Sequence, residues 1–122
     1  MPGPADTVLL PSVARTATVA TGPLKNNRYS GVVVYVNASA IAATPSVVAN
    51  IEGWDPGSNT WYLILASTAI VAVSTRKLTV APAMTPAANA VANDVLPATW
   101  RVNMVHGDAD SITYTVSASL VP

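Results

Sequence analysis

The sequence predicts an all-β domain, an antiparallel β-sandwich or a jelly-roll-like barrel of about seven or eight strands. Three observations predict it. Stretches rich in Val, Ile, Thr and Tyr recur at short spacing. Between them stand Gly-Pro, Asn-Asn, Asp-Pro-Gly and His-Gly-Asp clusters, which punctuate strands. No stretch repeats its apolar residues at the helical period of 3.6 over enough turns to form an amphipathic helix.

Residues 1–12 read as an extended N-terminal arm, since Pro2, Pro4 and Pro11 block a helix and disfavour a central strand. The arm, with Val8, Leu9 and Leu10, is expected either to lie on a neighbouring subunit as an apolar contact or to be a frayed terminus. Residues 13–122 then form a single β-sandwich domain. Residues 13–20 read as a strand, with Gly22-Pro23 and Asn26-Asn27 bracketing the loop after it. Residues 29–36 are the strongest strand. Their near-continuous apolar run implies burial on both faces or a face shared between subunits, with Val33 and Tyr35 as interface candidates. Residues 37–45 are small and read as a loop or one helical turn.

The clearest local signal is a hairpin. Residues 46–54 alternate, with Val47, Ala49 and Ile51 on one side and Asn50 and Glu52 on the other. Asp55-Pro56-Gly57-Ser58-Asn59 turns the chain, and residues 60–65 return. Trp54 and Trp61 flank the turn. Further strands are read at 69–73 and 77–80, followed by a long connection through Pro82, Pro86 and Asp94. Residues 99–105 alternate Trp100, Val102 and Met104 against Arg101, Asn103 and Val105. After a turn at 106–110, a last strand carries Ile112, Tyr114, Val116, Ala118 and Leu120 in phase. Phenylalanine is absent, so the three tryptophans and four tyrosines are the expected large core anchors.

Composition narrows the function. Charged residues make up 10% of the chain, the formal net charge is zero, and there is one histidine and no cysteine. That leaves few titratable groups to converge on a substrate, so an enzyme is not expected. It also leaves no thiolate chemistry and no basic stripe for nucleic acid. The greasiest run, 62–73, is too short for a helix across ~30 Å of hydrocarbon, so no membrane partner is expected. The first residues have neither a basic nor a long apolar segment and do not read as a secretory signal. A neutral, apolar chain tends to self-associate.

Three clusters and one arginine are candidate site residues. His106, Asp108 and Asp110 alternate and form a candidate metal cluster, for calcium through the carboxylates or zinc through the imidazole; the competing reading is a polar turn in which Asp caps its own backbone. Glu52 and Asp55 resemble an acid–base pair in spacing, but their place at a strand end favours turn capping. Trp54, Trp61 and Tyr62 form either an aromatic platform for a sugar ring, a subunit contact, or core filling. Arg101 is expected to pair with Asp94 or Glu52. No catalytic residue and no cofactor are assigned.

Three stretches carry a resemblance. They are 29–36 (Tyr-Ser-Gly-Val-Val-Val-Tyr-Val), 51–67 (Ile-Glu-Gly-Trp-Asp-Pro-Gly-Ser-Asn-Thr-Trp-Tyr-Leu-Ile-Leu-Ala-Ser) and 96–118, which opens Leu-Pro-Ala-Thr-Trp-Arg-Val and continues Ala-Asp-Ser-Ile-Thr-Tyr-Thr-Val. Together they resemble small virion-associated proteins from the structural gene clusters of tailed bacteriophages. The resemblance spans most of 13–120 and leaves out the arm. It implies a capsid decoration (cement) protein on the outer surface of the virion head, or another accessory head or tail protein, with the major capsid protein as partner; burial of the apolar faces of 29–36 and 62–73 further leads one to expect a homo-oligomer, most simply a trimer. The alternatives are a tail-tube or head–tail connector protein, or a carbohydrate-binding surface module.

Overall fold

The computed structural model describes residues 6–122, all of it strand, turn and loop without helix. Ten strands follow in order: β1 (Asp6–Arg15), β2 (Val19–Ala20), β3 (Leu24–Lys25), β4 (Gly31–Ile41), β5 (Val47–Asp55), β6 (Thr60–Ala66), β7 (Ser74–Ala81), β8 (Val91–Asn93), β9 (Thr99–His106) and β10 (Ile112–Val121). The count exceeds the expected one because β2, β3 and β8 are only two or three residues long.

The strands form two sheets. The first runs β1-β10-β4-β7-β8, antiparallel except for the parallel pair β7–β8; the second runs β2-β9-β5-β6, with β3 also paired to β9. Among the described residues no ladder joins the two sheets, and the isolated bridge from Val47 reaches only Ile70 in the β6–β7 connection, so the expected alternative of a closed barrel is corrected. Closure would require the outermost strands to pair with one another.

Alternation along β5, β9, β10 and most of β4 builds the core, joined by the second half of β7, where Leu78 to Ala81 are all buried. On the first sheet Val32, Val34 and Val36 of β4, Leu78 and Val80 of β7, and Ile112, Tyr114 and Val116 of β10 are buried. On the second, Val47, Ala49 and Ile51 of β5 and Trp100, Val102 and Met104 of β9 are buried. All belong to one apolar cluster. At ~25 cal/mol per Å² of apolar surface removed from water, these rows are the main force holding the fold.

Several expectations are revised. The tryptophans and tyrosines are not uniformly core anchors: Trp100 and Tyr114 are, whereas Trp54 and Trp61 lie outside the core and Tyr62 is exposed. Residues 6–12 are not free of the domain. They run without a break into 13–15 as β1, an edge strand on β10. Pro11 is tolerated because β1 is an edge and its register shifts on either side of Leu10. Leu9 and Leu10 pack against the chain's own core. Residues 1–5 of the expected arm lie outside the described residues. Residues 69–73 make no strand. Only Ile70 is bridged, and the Arg76 guanidinium donates to the carbonyls of Thr68 and Ala69 and to the Thr68 hydroxyl. Residues 37–41, expected as loop, continue β4 against β7 and β10.

Two backbone details hold this frame. Gly31 lies so close to β7 that a Cβ there would sit 2.2 Å from the Val80 carbonyl oxygen. Asn26 is buried with its amide spent on the backbone: it donates to the carbonyls of Tyr29 (2.8 Å) and Leu96 (3.1 Å) and accepts from the Tyr29 N–H (2.9 Å).

Candidate functional site

Strands β4, β5, β9 and β10 point alternate side chains away from the core, giving each sheet an outward face. On the first sheet, Val33 and Tyr35 of β4 pair across with Ser119 and Ser117 of β10 and with Thr79 and Lys77 of β7. Val8 of β1 stands opposite Ser117, 62% exposed. Asp6, Thr7, Val8, Tyr35 and 117–119 line an open groove of ≈ 380 Å³. The Ser119 hydroxyl donates to the Asp6 carboxylate at 2.7 Å. Of the residues expected at an interface, Val8, Val33 and Tyr35 therefore gather here, while Leu9 and Leu10 turn inward.

On the second sheet the register lays four residues in a row across four strands: Lys25 of β3 opposite Thr99 of β9, beside Trp54 of β5, which is opposite Trp61 of β6. These residues and Pro23 line a second groove of ≈ 290 Å³. The indoles meet edge to face, centroids 5.0 Å apart and planes at 61°. The Arg101 guanidinium lies 4.3 Å from the Trp61 ring centroid and pairs through Nε with Glu52 Oε1 at 2.7 Å. Both partners are mostly shielded, so the pair fixes the indole more firmly than an exposed one would. Lys25 Nζ donates to Thr99 Oγ1 at 3.0 Å. Tyr62, 44% exposed, is not part of this row; its ring covers Gly53 across the hairpin, where a Cβ would lie 2.5 Å from it.

The hairpin is anchored at its turn. Asp55 accepts from the Gly57 N–H at 2.9 Å and from the Ser58 hydroxyl at 2.8 Å, and these bonds, the Ser58 one foremost, hold its carboxyl below the usual range. Asn59 takes φ 55°, a conformation Asn accepts readily. Asp55 is thus a turn cap and Glu52 an ion-pair partner. They do not face each other across a cleft as an acid–base pair would.

The candidate metal cluster does not converge. His106 Nε2 lies 2.9 Å from the Tyr114 hydroxyl, Asp108 accepts from the Asp110 N–H, and Asp110 accepts from the Thr44 N–H and hydroxyl. Among the described residues no group of three or more His, Cys, Asp or Glu side chains is arranged to hold a metal ion. Carboxylates satisfying nearby N–H groups are what the turn reading expects. Burial lowers the His106 pKa, against the pull of Asp108 and with the help of Arg15. Burial also raises the Tyr114 hydroxyl to about 12, although Arg15 opposes it. Arg15 sits over the Tyr114 ring at 4.8 Å and donates to the carbonyls of Pro11, Val13 and Tyr114, so this trio ties β1 to β10.

Sequence reasoning did not find Lys25 and Thr99 as neighbours of the tryptophans. Their pairing depends on a two-residue strand without a sequence signature. No protein-family model, curated protein or solved structure matches the chain. No helix among the described residues is long and apolar enough to cross a membrane.

Proposed function

We propose that the protein is a structural component of a tailed-phage virion, a decoration (cement) protein that binds the outer surface of the head and stabilises it through subunit contacts. In this reading the two sheets are the layers of a β-sandwich, the major capsid protein is the partner, and the chain assembles as a homo-oligomer, most simply a trimer. It is not an enzyme and binds no nucleic acid, membrane or cofactor. The observation that carries the reading is the outward face of the first sheet, where Val8, Val33 and Tyr35 stand among serine and threonine side chains, with one charge of each sign, Asp6 and Lys77, beside them. Such a face suits repeated, shape-matched contact with many equivalent sites, where buried area supplies the gain against the cost of association. The phage resemblance of 13–120 supplies the setting.

Sedimentation of purified protein with shells of the major capsid protein that lack it tests the reading. Saturable co-sedimentation is expected, lost in Tyr35→Asp and kept in Val71→Asp, a loop position outside both grooves. Rings or tubes of the protein alone by electron microscopy, with no shell binding, would replace this reading by a tail-tube or connector role.

A further inference from the structure

The tryptophan groove on the second sheet has a chemistry that shell attachment does not use. We propose that it binds an acidic saccharide, a pyranose ring laid on the indoles of Trp54 and Trp61 with its anionic group at the Lys25 ammonium. Two of the chain's three tryptophans are held outside the core while the third, Trp100, fills it at 3% exposure. Trp54 and Trp61 are half-buried, Trp61 with Arg101 over one ring face, and aromatic side chains left partly open on a rigid strand pair are binding anchors more often than accidents of packing. Rigidity is built in: Arg101 covers Trp61 and is itself fixed by Glu52, and Asp55 locks the turn. A groove fixed before the ligand arrives spends less of its binding energy on ordering.

The shape selects a puckered ring over a flat one. With planes at 61°, the indoles leave no parallel slot to sandwich a planar aromatic, but an indole face accepts the C–H surface of a sugar. At ≈ 290 Å³ the groove lies just under the usual range of ligand sites, which begins near ~300 Å³. The polar side selects charge. Arg101 is neutralised by Glu52, whereas Lys25, among the described residues, has a hydroxyl partner and no carboxylate within ion-pair distance. The groove therefore carries one unbalanced positive charge beside its apolar floor. A wholly apolar ligand would strip water from Lys25 and Thr99 without return; an acidic sugar serves both parts.

The test is titration of the full chain, followed by tryptophan fluorescence, with oligogalacturonate as acidic probe and the matching neutral galactose oligomer as control. The expected result is saturable binding of the acidic probe that weakens as salt is raised. Trp61→Ala abolishes it, and Lys25→Gln lowers affinity for the acidic probe about tenfold, to the level of the neutral one. A cooperative urea-unfolding transition followed by circular dichroism reports that each variant is folded, and Lys25, exposed on a two-residue strand, changes without disturbing the core. Failure of both sugars to bind, equal affinity in Lys25→Gln, or capture of a proline-rich peptide in their place would overturn the proposal. So would protection of Trp54 and Trp61 from acrylamide by a second copy of the chain. None of these results bears on shell binding through the first sheet.

Discussion

On the first sheet, the side chains that alternate with the buried row are Val33, Tyr35, Asn37, Thr115, Ser117 and Ser119; on the second they are Val48, Asn50, Glu52, Trp54, Arg101 and Asn103. The inward rows are near equivalents, mostly β-branched and aliphatic with one aromatic anchor each, Tyr114 on the first sheet and Trp100 on the second. The outward rows differ in kind. One is a field of small hydroxyls with scattered apolar groups and the separate charges of Asp6 and Lys77; the other concentrates two indoles, a stacked guanidinium and an ion pair at one end of the sheet. Because successive residues in a strand face opposite ways, the inward row can specify the fold while the outward row is free to specify a partner. Breaking an inward residue should therefore cost folding, and breaking its outward neighbour should cost contact.

The largest effect is expected from Ile51→Ala on β5, which leaves a cavity in the core and should lose about 3–4 kcal/mol in urea unfolding. Trp54→Ala, three residues on and facing outward, should lose only about 1 kcal/mol, the scale of one edge-to-face ring contact. Equal losses would mean that the outward tryptophans are core after all. Asn26→Ala should cost about 2–3 kcal/mol, because the Tyr29 N–H and the carbonyls of Tyr29 and Leu96 lose their shared partner in a buried place.

Smaller and opposite in sign is the effect of Ala83→Gly. Ala83 holds φ 60° in the turn after β7, a conformation that costs an L-residue roughly 1–2 kcal/mol. Part of that gain is offset by the freer unfolded chain, so glycine should raise stability by about 0.5–1 kcal/mol in the same unfolding assay. The weakest effect is a pH slope. His106 resists protonation in the folded state while the unfolded chain takes up a proton near the ordinary value of 6.5. Its contribution is therefore complete above pH 6.5 and declines as pH falls below it towards the folded value. His106→Gln should flatten the melting temperature across that window; an unchanged slope would assign it to other groups.

Much of this was legible because alternation survives in sequence. The phases of 47–51, 99–105 and 112–118 predict the buried rows, and the same alternation places Trp54 in step with Asn50 and Glu52, on the outward side. The absence of phenylalanine argued the other way, and composition proved a poorer guide than phase. The misread segments are those where composition and tertiary context part. Residues 69–73 look like a strand because they are apolar, yet Val71 and Val73 are exposed and arginine bonds hold the loop. Pro11 argued against a strand at 6–12, but an edge with shifted register needs no donor there. Strand β8 lies in an alanine- and asparagine-rich stretch and exists because Thr79 donates to the Ala90 carbonyl and β7 offers an open side. The candidate site was half legible: the hairpin announces both tryptophans, while Lys25 and Thr99 reach them only through cross-strand register.

The proposed decoration role is tested most sharply by density at subunit resolution for intact phage heads incubated with the purified protein. The account predicts the domain on the outer surface of the head, with Val8, Val33 and Tyr35 against the shell and the Trp54–Trp61 groove turned to solvent. Density confined to the tail or the connector, or a head surface bare of the domain, would contradict it.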